Sequence, residues 1–312
     1  MRKLNYIYLI LFTALLFVAC SSDDMPEKSS DNKVELSYAI SNFDISGTTT
    51  RATDVGSPAE QQIDNLYLFL FDMAGANPIK YFIDNAFNVA NGVWEEGNGK
   101  IKLKLTQSEA GNRQVHLVAN VSGDLQTTLS GVTTLTELQS VIASTSNAPW
   151  STTLKAPILM SGSATHNFVT NRILSSVPLI RALAKIELNV TLPAKHQDAD
   201  ASHYKYNFID FDKNTYVLKP TAKTDDLATS GWLAWQAAGD VSSYTLGTDS
   251  KVNSLKVITY INERDNTGSY IDIQLPYNSG LLPPPEFGDD TFKLPLPSKI
   301  ERNHWYKFDI TL

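Results

Sequence analysis

A mainly β protein, with two β-sandwich domains in tandem and few short helices, follows from three features of this 312-residue sequence. Ile63 to Phe71 (IDNLYLFLF) is a nearly continuous apolar run that ends at Asp72-Met73-Ala74-Gly75. It is too short for a core helix and fits a strand buried on both faces. Lys100 to Leu105 (KIKLKL) alternates charged and apolar residues, the pattern of a half-exposed strand. Around Arg181 the patterning begins again: Ile186, Leu188, Val190 and Leu192 share one face, with Glu187, Asn189 and Thr191 on the other. Tyr81 to Ile83 is a partner for the first run, and Gln114 to Val121 is a further strand. Helical spacing of Leu135, Leu138, Val141 and Ile142 predicts one clear helix over Thr134 to Ser144. Later strands are expected at Tyr204–Phe211, Thr215–Lys219, Ser254–Ile261, Tyr270–Leu275 and Trp305–Leu312, with Pro283 to Pro285 marking a long loop. Short strands with turn-rich connections favour sandwiches. The domain boundary is expected near 170 to 180, which divides the chain into 52–178 and 179–312.

The first fifty residues are of a different kind. Arg2 and Lys3 precede an apolar stretch from Leu4 to Val18 that ends at Ala19-Cys20, the pattern of a secretory signal over 1–19. A membrane-spanning helix needs about twenty apolar residues, and this run stops short at Ser21-Ser22-Asp23-Asp24. Leu16-Phe17-Val18-Ala19-Cys20 resembles the bacterial lipobox. Cys20 is the only cysteine, so an internal disulfide is impossible and lipid attachment is its expected role. Segment 20–51 then reads as a polar tether followed by a first strand, Lys33 to Ile45. Within that strand Val34, Leu36, Tyr38 and Ile40 alternate with polar residues. A lone Arg51 follows in Thr48-Thr49-Thr50-Arg51-Ala52.

Composition excludes more than it assigns. A hydrophobic share of 42% supports real cores, and a net charge of -7 without a basic block argues against nucleic-acid binding. Candidate chemistry is thin. His116 lies in an alternating strand, and neither His166 nor His304 belongs to a catalytic pattern. His196 and His203, with Asp198 and Asp200 between them, are the best metal-like group, yet their spacing matches no closed zinc pattern. Asp210 and Asp212 lie near a strand end, two apart; solvated loop acids are the favoured reading over a glycosidase pair. Trp232 and Trp235 are candidates for a sugar-stacking platform or for buried sandwich tryptophans. No phosphate-binding loop, nucleophile elbow or metalloprotease motif occurs, so neither an enzyme activity nor a cofactor is expected.

Several segments in order resemble the fimbrillin family of Bacteroidales, the subunits of type V pili. The lipobox, Arg51-Ala52 and the LYLFLFD strand resemble its amino-terminal domain. Arg181 to Leu188 (RALAKIEL) resembles the strand that opens its second domain. Thr259 to Asn266 (TYINERDN) resembles its Tyr-Ile-Pro-Glu-Asn region, with Asn262 in place of the proline. Arg302-Asn303-His304-Trp305-Tyr306 with KFDITL resembles its closing strand.

The resemblance implies transthyretin-like sandwiches, export to the outer membrane as a lipoprotein, and cleavage after Arg51 by an arginine-specific protease. That cut would release the first strand with its lipid and leave an apolar groove for another subunit's strand. The implied partners are other fimbrial subunits, the outer membrane through the lipid before cleavage, and a host or bacterial surface ligand in adhesion. Stalk subunits of the family carry donor sequence after the closing strand, whereas this sequence stops at Leu312. Either KFDITL rearranges to donate, or the subunit accepts a strand and donates none, as a tip or accessory subunit would. A permanently lipidated surface adhesin or glycan-binding lipoprotein, or an anchor subunit, is the alternative.

Overall fold

The computed structural model describes residues 33–46, 52–151, 156–221, 223–238, 242–265, 268–277 and 288–312. In chain order the strands are β1 (Lys33–Ile40), β2 (Phe43–Ser46), β3 (Ala52–Asp54), β4 (Leu66–Phe71), β5 (Ile79–Ile83), β6 (Gly92–Glu95), β7 (Lys100–Thr106) and β8 (Asn112–Ala119). They continue as β9 (Ile142–Thr145), β10 (Met160–Asn167), β11 (Ile173–Arg181), β12 (Ala184–Thr191), β13 (Lys205–Ile209), β14 (Phe211–Asp212) and β15 (Asn214–Tyr216). The rest are β16 (Leu227–Ala228), β17 (Leu233–Ala234), β18 (Ser242–Leu246), β19 (Val252–Ile261), β20 (Tyr270–Tyr277), β21 (Gly288–Pro295) and β22 (His304–Thr311). The chain is mainly β, as expected.

The first core lies between two halves of one folded-over sheet of order β5-β4-β8-β10-β11-β1-β7-β6. Strands β10 and β11 join the halves through only two residue pairs, Met160–Arg181 and Ser161–Ile180. The second core lies between the sheets β18-β19-β12-β22-β2-β3 and β17-β13-β20-β21. Ile186, Leu188 and Val190 of β12 are buried in it, as their alternation predicts.

All six residues of β4 are buried, and the reason is visible. Leu66, Leu68 and Leu70 face the first core. Tyr67, Phe69 and Phe71 face a separate cluster under helices 123–131 and 135–140, which Val217 and Leu218 of the second half help to close. Their rings stack at 4.8 and 5.5 Å between centroids, an arrangement that adds to simple area burial.

Three expectations need correction. The helix expected over Thr134–Ser144 ends at Ser140; Ile142 is exposed and belongs to β9, which pairs with β15. A longer helix, Gly123–Gly131, was hidden by its polar sequence; Ser122 caps it and only Leu125 and Leu129 are buried. The first strand is two strands, broken at Ser41-Asn42. Strand β11 ends at Arg181 in the first sheet, and β12 opens in the second at Ala184.

His116 in β8 is buried edge-on against the Phe71 ring, 5.8 Å between centroids. Burial pushes its imidazole down from 6.5 to about 4. The unfolded chain therefore takes up this proton first as pH falls. Stability from this group is complete above pH 6.5 and is lost between pH 6.5 and 4, by up to about 3 kcal/mol. Denaturant titrations at pH 7 and 4.5 should show that loss, and His116→Gln should remove most of the difference.

Candidate functional site: the seat of the segment ahead of Ala52

Strand β1 is an interior strand of its sheet. It runs parallel to β11 on one side and antiparallel to β7 on the other. Val34 and Leu36 are fully buried, and Tyr38 is nearly so. Ile40 is only partly buried against the same core, so three inward side chains anchor the strand and the fourth lies at the margin. The Tyr38 hydroxyl accepts a hydrogen bond from Trp94 Nε1 at 3.0 Å, and its backbone N–H donates to the Gly99 carbonyl at 2.8 Å. Gly99 has φ +61°, and a Cβ there would meet the Tyr38 carbonyl oxygen at 2.5 Å. Only glycine permits so close an approach.

At Ser41-Asn42 the chain leaves the first sheet for the second. Ser41 N–H donates to the Leu179 carbonyl, and the Asn42 carbonyl accepts from Asn303 Nδ2. Strand β2 then lies parallel to β22, pairing Asp44, Ile45 and Ser46 with His304, Trp305 and Tyr306. Strand β3, which begins at Ala52, returns antiparallel to β2, with Ile45 opposite Ala52. Arg51 and Cys20 lie outside the described residues. The segment ahead of Ala52 thus supplies one strand to each half of the molecule.

Under the crossover sits a buried polar node. Arg181, fully buried at the end of β11, donates through Nε to the Glu60 carbonyl, through Nη1 to the Ser41 carbonyl and Asn303 Oδ1, and through Nη2 to the Val55 carbonyl, all at 2.9 Å. Its Cζ lies 4.0 Å from the centroid of the Phe43 ring in β2, a cation–π contact. Burial lowers the Arg181 pKa, and the nearby Glu60 charge offsets this.

Glu60, also fully buried, has Lys185 Nζ at 3.0 Å and accepts from the Tyr260 hydroxyl at 2.8 Å. Burial alone would raise its carboxyl. The Ser57 N–H, the Tyr260 hydroxyl and the Lys185 ammonium outweigh that and hold it below its ordinary range. Lys185 Nζ also lies 3.9 Å over the Trp305 ring. Nearby, Arg302 pairs with Glu263 and reaches Ser161 Oγ in β10 at 3.5 Å. Residues of the RALAKIEL, TYINERDN and closing-strand segments, far apart in sequence, therefore meet around this one crossover.

The remaining sequence candidates do not assemble. His203 Nδ1 lies 2.6 Å from Asp198 and its Nε2 3.7 Å from Asp200. His196 points into the second core instead, with Nδ1 2.9 Å from the Pro276 carbonyl oxygen. Asp212 is not a solvated acid: it is buried 3.4 Å from Lys223, and burial raises its pKa. The Asp210 carbonyl accepts from Arg264 at 2.7 Å, which ties its loop down. Trp232 is exposed while Trp235 is buried against Tyr206, so the two form no common platform. His166 Nε2 lies 2.7 Å from the Asn171 carbonyl oxygen, and His304 Nε2 lies 3.5 Å from Glu301.

Comparison with known proteins gives this architecture its context. Residues 35–222 match the family model described as major fimbrial subunit protein (FimA). Residues 182–311 match that described as minor fimbrium tip subunit MfA4, C-terminal. The chain is 43% identical to the minor fimbrium tip subunit MfA4 of Porphyromonas gingivalis over 335 aligned residues, covering 99% of this chain and 100% of that one. Among solved structures, the tip fimbrial protein Mfa3 of Porphyromonas gingivalis, with a C-terminal truncation, superposes with a TM-score of 0.53 at 13% identity, covering 90% of this chain and 95% of that one. A Bacteroides eggerthii protein assigned to cell adhesion gives 0.55 at 16% identity, covering 90% and 86%; at such identities the likeness is one of fold. The chain belongs to the Bacteroidales fimbrillin family and is a fimbrial subunit of the cell surface.

Proposed function

We propose that this subunit is exported as a lipoprotein carrying lipid on Cys20 and is activated by cleavage after Arg51. The cut frees the chain ahead of Ala52 so that a strand of another subunit takes its place. The observation that carries this reading is the placement of β1 and β2 as interior strands lying ahead of Arg51, with Ala52 opening the next strand. Withdrawing β1 would leave β7 and β11 with unpaired backbone edges and open the core at Val34, Leu36 and Tyr38. Each buried side chain of this size is worth roughly 1.5–3 kcal/mol, so the drive to refill the groove is strong. Exposed strand edges are templates for an added strand. While β1 is seated, those edges are paired and the subunit stays monomeric.

A tip position in the fimbrium is our reading of its place, drawn from the 43% identity to a minor fimbrium tip subunit.

Limited digestion of the purified full chain with a trypsin-like protease tests the proposal. A single early cut should give a stable fragment beginning at Ala52, the released segment should co-elute until displaced, and only cut protein should capture a donor strand. Arg51→Ala should abolish both the cut and the capture. Scattered cleavage, or capture by the Arg51→Ala protein, would contradict it and leave a permanently lipidated adhesin as the better description.

A further inference from the structure

Asp212 and Lys223 are brought together because the chain doubles back on itself. Asp212 of β14 pairs with Leu227 of β16, and the Lys213 N–H donates to the Asp226 carbonyl at 2.7 Å. The return places Lys223 Nζ 3.4 Å from Asp212 Oδ1, with the lysine side chain 1% exposed and the aspartate side chain 0%. Two opposite charges sealed so completely lose hydration that their mutual attraction restores only in part.

The polar contacts of the pair are unequal. Lys223 Nζ donates to the Asn214 carbonyl at 3.2 Å and to the Glu263 carbonyl. These acceptors use two N–H bonds, all that a neutral amine possesses. The remaining position on the nitrogen holds a proton in the ammonium and a lone pair in the amine. On the carboxyl, Oδ1 accepts from the Asn214 N–H at 2.8 Å, whereas Oδ2 is buried with no hydrogen-bond partner among the described residues. Burial raises the Asp212 carboxyl and lowers the Lys223 ammonium, which displaces both toward their neutral forms. The nearby charge of Asp225 disfavours ionisation of Asp212 further.

We propose that Lys223 and Asp212 become joined by an isopeptide bond that forms within the folded chain. The amine nitrogen adds to Asp212 Cγ, and the Asn214 N–H stabilises the charge that develops on Oδ1. The Nζ–Cγ bond forms and the Cγ–Oδ2 bond breaks. Oδ2 departs as water, carrying the carboxyl proton and one proton from the nitrogen, so the balance needs no oxidant, reductant or further reactant. Fixed proximity makes the step intramolecular, and one neutral amide replaces two buried charges. The link closes residues 212–223 into a covalent loop. That loop contains Val217 and Leu218, which help to seal the cluster under the helices of the first half, and the Tyr216 and Val217 carbonyls reached by Arg302. A covalent tie at this place holds the two halves together when a surface filament is pulled. It does not depend on cleavage after Arg51.

Mass spectrometry of a tryptic digest of the purified, denatured chain tests this, because an ion pair falls apart on unfolding and an amide does not. Trypsin should cut after Lys205, Lys213 and Lys251 but not after Lys223, while Lys219 is protected by the proline that follows it. The product should be a branched pair of peptides, 206–213 joined to 214–251, lighter than their sum by one water, about 18 Da. Lys223→Arg keeps the charge but removes the amine, so its digest should contain no branch and every peptide should have its full mass. Release of linear peptide 214–223 at full mass as the main wild-type product overturns the proposal. So does a water loss that maps to another pair of residues, or one that persists in Lys223→Arg.

Discussion

Arg181→Ala should destabilise the full chain by about 3–5 kcal/mol, the cost of breaking a buried charged network by removing one partner. The change strips donors from the Ser41, Val55 and Glu60 carbonyls and from Asn303 Oδ1. It also removes a positive charge near the Glu60 carboxylate, which keeps its pairing with Lys185. Arg181→Lys should recover little, because an ammonium cannot present a planar fork to groups on several sides. Urea denaturation measures both. The substitution has a second consequence, because the Ser41 carbonyl and the Phe43 ring belong to the segment ahead of Ala52. In protein cut after Arg51, Arg181→Ala should speed release of that segment. A loss below about 1 kcal/mol with unchanged release would show that the node does not hold the crossover.

Leu36→Ala is the second large effect, and its sign of interest is conditional. Leu36 is fully buried among the first-core residues, so truncation should cost the uncut chain about 2–5 kcal/mol through lost transfer energy and the cavity left behind. Once the segment has been cut away and replaced by another strand, Leu36 is no longer part of the molecule. Thermal melts of cut, refilled protein prepared from wild type and from Leu36→Ala should then coincide, although the two uncut proteins differ. Phe69→Ala, buried on β4 outside this groove, should lower both forms alike. A Leu36→Ala deficit that persisted after refilling would mean that the original strand had never left.

Much of this design is legible in the sequence, and what is not has physical causes. The uninterrupted run of β4 reads correctly because both of its faces are covered, and KIKLKL reads correctly because only one face of β7 is. Alternation in Val34, Leu36 and Tyr38 identifies a strand with a buried face. Alternation says nothing of which sheet receives that face, so the break at Ser41-Asn42 and the transfer of β2 to the second sheet are invisible in it. Short helices such as Gly123–Gly131 escape because two buried leucines suffice to seat them.

The polar node shows the limit most clearly. Arg181, Lys185 and Tyr260 stand out within segments that resemble the family, yet their common partner Glu60 lies in an unremarked short helical turn, Pro58–Gln61. Asp212 misleads for a related reason: its partner Lys223 is supplied by a loop and makes a buried pair of what reads as a solvated acid. Long-range pairing of charges leaves no periodic trace, whereas burial of apolar side chains does.

The removable nature of the segment ahead of Ala52 is tested most directly by the amino-terminal residue of this subunit recovered from sheared surface filaments. Assembly through the vacated seat of β1 and β2 predicts Ala52. Recovery of filament-borne protein that still begins at lipidated Cys20 would contradict it, and would make the two strands permanent parts of the fold.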